Sequence, residues 1–225
     1  MRNGLLKKVY LGWYRQMRDC LYASDNYSSP LSRLRKHRDE VIVELGEGGN
    51  GWVKEIMPLV FTSDVQEVGT DMCFSAMDMI FGAETIDAFL LINVLHHLRP
   101  ETFFNEALRC LKPGGKILII EPANTRWSRL IYRFHFESFR PDLYWEPVNN
   151  AMAWILFFRD VKYFKKLYPQ LEIINIKTHT SLAYLLAGGH SYPQLVPTFL
   201  YPVIKWLEKI LPLGGMFYTI VLEKE

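Results

Sequence analysis

Two carboxylates, a cluster of glycines and two histidines are the residues whose types and spacing could do chemistry. Residues 41–51, VIVELGEGGNG, run strand-forming side chains into a turn that holds Gly46, Gly48 and Gly51 at G-x-G-x-x-G spacing. Glu44 stands two places before the first of these glycines, and Asp64 lies 18 residues beyond it. A dinucleotide site places its ribose-binding carboxylate roughly 20 residues on. Glycine lets the backbone approach a nucleotide-like ligand and adopt positive φ, and a carboxylate accepts both hydroxyl donors of a ribose. The same residues also suit a tight turn without a ligand and an acid at a strand end. His97 and His135 carry the side chain whose unperturbed pKa suits proton transfer near neutrality, and structural roles are equally open to them.

These residues need elements to position them. Leu6, Tyr10, Trp13, Met17 and Leu21 recur at helical spacing, with Lys7, Lys8, Arg15 and Arg18 on other faces. That pattern predicts a docked N-terminal helix, with a lid over the site or a seat on an anionic membrane surface as its other uses. Residues 23–40 are polar, broken by Pro30, and read as a connection. The glycine turn leads into a short helix before Pro58, then a second strand, LVFTSD, ending at Asp64. Only VQEVGT separates it from DMCFS, too few residues for a crossover helix, so a loop and a short edge strand are expected.

Residues 88–93, AFLLIN, are almost continuously apolar and suit a parallel strand buried on both faces. Pro100 opens a helix carrying Phe104, Ala107, Leu108 and Leu111 on one face, and Pro113, Gly114 and Gly115 stop it. KILIIEP, LEIINIKTHT and MFYTIVLEKE read as further strands. AMAWILFFRDVKYFKKLY reads as one apolar helix. A last amphipathic helix presents Val203, Trp206, Leu207 and Ile210, and packing of that stripe on the domain is expected.

Composition narrows the class. The chain has 225 residues, 49% hydrophobic and 22% charged, which suits one globular domain with a sizeable core. A formal net charge of +2 argues against a nucleic-acid partner. Cys20, Cys73 and Cys110 are scattered, and the histidines lack carboxylates at ligand spacing, so no metal site or disulfide framework is expected. The start of the chain does not read as a secretory signal. The run AMAWILFF is shorter than the ~20 residues a spanning helix needs. A cytoplasmic protein is expected, with peripheral contact at the inner membrane face as a further use of the aromatic half.

ELGEGG, the strand end TSD, INVLHHL and RCLKPGGKILIIEP, in that order, resemble the class I S-adenosylmethionine-dependent methyltransferases, and are most similar to the small bacterial type 11 methyltransferase domain. The resemblance covers about residues 41–122. It implies an α/β, single-domain Rossmann-like fold, with a mostly parallel central sheet, a final antiparallel strand and helices on both faces. It implies S-adenosyl-L-methionine as cofactor. Glu44, Gly46 and Gly48 would hold its amino-acid end and Asp64 its ribose. Ser75 stands where the family has an adenine-binding aspartate, followed by the Ala76 amide, and Asn93 falls where the fourth strand opens onto the cofactor. Asn50 takes the family's third glycine position, where asparagine tolerates left-handed backbone.

The resemblance divides the chain into an N-terminal helix and lid (1–40), a cofactor-binding core (41–122), substrate-side helices and insertions (123–215) and a last strand (216–225). Twenty of the thirty-two aromatic residues fall within residues 123–218. Most suit a core, and the remainder an apolar cover for a small-molecule, sugar or glycolipid acceptor. His97 and His135 are the candidate catalytic bases. An NAD-dependent oxidoreductase fits the glycines and Asp64 as well, and a catalytically silent membrane-associated module fits the aromatic half.

Overall fold

Five of the predicted strands alternate with loops and one helix to build the parallel part of a seven-stranded sheet. The computed structural model describes residues 4–23, 39–135, 139–179, 182–189, 192–211 and 214–225, so the connection expected at 23–40 falls largely outside it. The strands are β1 (Ile42–Leu45), β2 (Phe61–Asp64), β3 (Met72–Cys73), β4 (Ile86–Ile92), β5 (Leu111–Pro122), β6 (Leu171–His179) and β7 (Phe217–Lys224). Their order is β3-β2-β1-β4-β5-β7-β6. The first five pair in parallel, and β7 runs antiparallel between β5 and β6. This is the expected α/β fold. β4 is central and covered on both sides, which is why its sequence IDAFLLI is nearly all apolar.

The β2–β3 connection has no helix. Asp71 ties it down instead, accepting bonds from the Thr62 amide at 2.8 Å and the Thr62 hydroxyl at 2.9 Å. The edge strand it delivers has two residues.

Alternation along the strands sends successive side chains to opposite faces. Val43, Leu45, Phe89, Leu91, Ile117 and Ile119 meet Phe103, Phe104 and Ala107 of helix α2 (Pro100–Cys110) on one face. Ile42, Ala88, Leu90, Leu118 and Ile120 meet helix α1 (Gly4–Leu21) on the other, along with Tyr132 of α3 (Arg126–His135) and Ala183 of α6 (Leu182–Leu186). α1 is therefore docked through Leu5, Trp13, Tyr14 and Met17, all nearly inaccessible.

Four expectations change. Leu111 is extended and begins β5, because α2 ends at Cys110, ahead of Pro113. The apolar stretch at 151–168 is not one helix. A short α4 (Met152–Trp154) passes into a π-helical turn (Ile155–Arg159), and α5 (Val161–Leu167) starts after Asp160. The wider turn, closed by Asp160 N–H to the Ile155 carbonyl at 2.8 Å, re-aims the face so that both Phe157 and Phe164 pack against Phe104. Asn50 is not left-handed: Gly49 and Gly51 carry the positive φ on either side of it. Finally, the stripe on α7 (Tyr201–Ile210) faces outward, and Ile204 is the residue of that helix that is buried.

Candidate functional site

In an open parallel sheet a ligand crevice forms outside the carboxyl ends of the strands, where the strand order reverses. Here that point lies between β1 and β4. β1 leads into the turn Gly46–Gly51 and β4 leads into Asn93, and both open into a cavity of about 750 Å³, within the ~300–1,000 Å³ usual for small-ligand sites.

The glycine turn is built by its own backbone needs. Gly46 has φ +69°, and a Cβ there would sit 2.6 Å from Val94 Cγ2, so the turn lies directly against the residue following Asn93. Gly49 passes close to the Val68 carbonyl, where a Cβ would come within 2.2 Å. Gly48, at φ +70°, would meet only Asn50 Nδ2, at an ordinary 3.7 Å, with an added Cβ. Glu47 closes the turn by accepting the Gly51 amide at 2.5 Å. Burial pushes its carboxyl up, while the amides of Gly51, Asn50, Gly49 and Trp52 pull it down.

Glu44 forms the floor. It is 2% exposed and points to the α1 side of the sheet. Its Oε1 accepts the Tyr14 hydroxyl at 2.7 Å, and its Oε2 is buried without a hydrogen-bond partner. Burial lifts its pKa to about 8, against the lowering effect of the Tyr14 bond and with help from the Glu47 charge. A buried carboxylate with an open oxygen suits a cationic ligand group.

The β4 side is equally constrained. Asn93 has φ +58° and donates from Nδ2 to the Tyr10 hydroxyl at 3.2 Å. In the following turn (Leu95–His97), His96 is buried and its Nδ1 lies 2.6 Å from Glu121 Oε2. Glu121, the last residue but one of β5, is fully buried, and its Oε1 has no partner among the described residues. The Val148 amide, at 2.6 Å, and the Asn149 amide fix the His96 carbonyl. His97 sits against the His96 ring, 4.1 Å between centroids, and desolvation and His96 together lower its pKa while Glu121 raises it. Tyr184, Tyr192 and Phe217 form the aromatic wall opposite.

Of the residues singled out from the sequence, Glu44, Gly46, Gly48, Asn93 and His97 line this cavity together. Asp64 stands behind the turn, accepting the Gly48 amide and the Gln66 amide, each at 3.0 Å. Ser75 accepts the Met77 amide at 3.2 Å and caps its own turn, and Ala76 packs toward the α2-side core. Neither is among the cavity's lining residues. His135 ends α3, and its side chain lies outside the described residues. Sequence reasoning did not single out Tyr14, Glu47, His96 or Glu121 as site residues. The pair His96–Glu121 had a local signal, the HH of INVLHHL and the acid of KILIIEP, but nothing in the sequence joins the two. Among the described residues no cluster suits a metal ion, and no helix is long and apolar enough to cross a membrane.

Residues 59–119 match the family described as a methyltransferase domain. No curated protein sequence matches the chain. Among solved structures, geranyl diphosphate C-methyltransferase from Streptomyces coelicolor A3(2), in complex with Mg2+, geranyl diphosphate and S-adenosyl-L-homocysteine, is 14% identical. It superposes with a TM-score of 0.54 over 94% of this chain and 78% of that one. A methyltransferase from Thermotoga maritima, described as a possible histamine N-methyltransferase, is also 14% identical, with a TM-score of 0.51 over 98% of this chain and 99% of that one. These likenesses are of fold.

Proposed function

We propose that this chain, a class I methyltransferase by its fold and by its methyltransferase-domain match, transfers a methyl group from S-adenosyl-L-methionine to a small, largely apolar acceptor. One observation carries the reading: the glycine turn places a buried carboxyl with an unpartnered oxygen, Glu44 Oε2, on the floor of a cavity large enough for cofactor and acceptor.

The residues present fit that cofactor. Glu44 would take its ammonium, and Gly48, bare of a side chain on the cavity wall, would admit its backbone-side atoms. Asp64 stands one hydrogen bond behind, where release from the Gly48 amide would free Oδ2 for ribose. Ser75 and Ala76 would flank the adenine. When bound, the cofactor supplies an electrophilic methyl on a sulfonium.

The protein's part is to position the acceptor and exclude water, which govern an in-line displacement. Tyr184, Tyr192 and Phe217 offer an apolar bed. An oxygen acceptor also needs a base. His96 is oriented by Glu121, which holds its Nδ1 and stabilises the positive charge it would gain. His97 would lie nearer the mouth. The aromatic wall suits a lipid-linked saccharide among the possible acceptors.

Calorimetry with S-adenosylhomocysteine and with NAD tests the cofactor. Binding of the first alone is expected. Binding of NAD alone would make the chain an oxidoreductase, and binding of neither would leave a silent module. Incubation with cofactor and extracted glycolipids, followed by a search for the mass of one added methyl, tests the acceptor.

A further inference from the structure

The outward face of α7 has no use in the site just described. Phe199, in the turn Thr198–Leu200 that leads into the helix, is 75% exposed, and Val203, Trp206 and Ile210 are 51%, 58% and 54% exposed. They fall at i, i+4, i+7 and i+11, one stripe of a helix. Single exposed apolar residues are ordinary, but a continuous row that includes a phenylalanine and a tryptophan marks a contact surface.

Cations flank this row among the described residues. Lys205 and Lys209 lie on α7 itself. Across the joint with α1, Lys8 Nζ stands 5.8 Å from the Tyr201 ring, and the Arg15 charge also acts on Tyr201. The acid of α7, Glu208, is committed elsewhere. It accepts the Leu182 and Ala183 amides at the start of α6, at 2.9 and 2.8 Å, and pairs with Lys205. Two copies joined through this face would bring their cations together, which disfavours self-association.

The face is also mechanically joined to the cavity. α7 braces α6 through Glu208, and α6 continues into Leu185, Gly188 and Gly189, which line the cavity. Tyr192, Pro193 and Leu195 line it as well, and the chain runs from them into Phe199.

We propose that the face formed by Phe199, Val203, Trp206 and Ile210 seats the protein on an anionic membrane surface, with Lys8, Arg15 and Lys209 meeting the lipid phosphates. An amphipathic helix lying in the interface buries its apolar side and sets its cations against anionic headgroups. The segment that lines the cavity at Tyr192, Pro193 and Leu195 runs directly into this face, so an acceptor with a lipid anchor would enter without leaving the membrane. The last step rests on the methyl-transfer reading, whereas the docking does not.

Cosedimentation of the full chain with vesicles tests it. Vesicles of equal parts phosphatidylglycerol and phosphatidylcholine should carry the protein down, and pure phosphatidylcholine or high salt should release it. The double variant F199S/W206S should bind at least about tenfold more weakly, and Lys209→Glu about fivefold more weakly. Both should keep the wild-type melting temperature and affinity for S-adenosylhomocysteine. Failure of wild type to bind anionic vesicles, or unchanged binding by both variants, overturns the proposal. So does a dimer in ultracentrifugation that F199S/W206S converts to monomer without vesicle binding. Cofactor binding is read separately, so loss of one reading leaves the other standing.

Discussion

The Tyr14 hydroxyl donates a 2.7 Å hydrogen bond to Glu44 Oε1, across 30 residues of sequence. The N-terminal helix is thereby fastened to the acid at the head of the glycine turn. It is at once a docked helix and a wall of the cavity, since Tyr10 and Tyr14 both line it.

Glu44 should make cofactor binding depend on pH. Its pKa of about 8 leaves it mostly protonated at neutrality. An ammonium group favours the ionised form, so binding would release this proton. Affinity for S-adenosylhomocysteine should rise toward pH 8 by up to about tenfold per unit and level off above it. Glu44→Gln should bind more weakly, with a flat profile. Calorimetry in buffers of different ionisation enthalpy measures the released proton, and a flat wild-type profile would exclude Glu44 from the cofactor site.

Stability should move the other way. Glu44 titrates near 4.3 in an unfolded chain and near 8 in the fold. Between these values the folded state holds the extra proton. Stability is therefore greatest below the lower value and falls as pH rises through the upper one, by on the order of a few kcal/mol. Glu44→Gln should remove that slope from melts of the ligand-free protein. Tyr14→Phe strips a buried acceptor of its donor and should cost about 1–3 kcal/mol, more above pH 8 than below it because the bond favours ionised Glu44.

His96 and Glu121 should act as a pair. If His96 takes a proton from an oxygen acceptor, His96→Ala should lower kcat by about 10²–10⁴ with little change in KM. Glu121→Gln should lower kcat as well. Full activity in both variants would leave this buried contact a structural one.

The glycines divide by what surrounds them. Gly46→Val drives a side chain into Val94 and should destabilise the fold, so its effect on binding cannot be read alone. Gly48→Ala meets nothing nearer than Asn50 Nδ2 at 3.7 Å. It should cost about 1–2 kcal/mol for its left-handed backbone and weaken the cofactor further. Equal stability losses for the two in denaturant titrations would contradict this geometry.

Two tryptophans give a comparison independent of function. Trp13 is 2% exposed among Tyr10, Tyr184 and Phe217, and Trp13→Ala should cost about 3–5 kcal/mol. Trp206→Ala should stay within about 0.5 kcal/mol, as for a surface position. Thermal melts decide it.

Much of the fold was legible because its signals are local. The apolar run of β4, the Pro100 start of α2 and the short connection between β2 and β3 each act within a few residues, and each predicted its element. The glycine turn was legible for the same reason, since positive φ is a property of single residues. Asn50 misled because left-handed tolerance does not say which neighbour will use it. The π turn at Ile155–Arg159 carries no periodic signature that separates it from a continuous helix. What the sequence alone determined was the order of elements and the turn that opens the site. Tertiary structure alone decided which stripes are covered and which acids meet which partners. An amphipathic row reads identically whether a sheet or nothing lies against it, as α1 and α7 demonstrate. His96 and Glu121 are 25 residues apart, and only the parallel pairing of β4 with β5 sets their strand ends side by side.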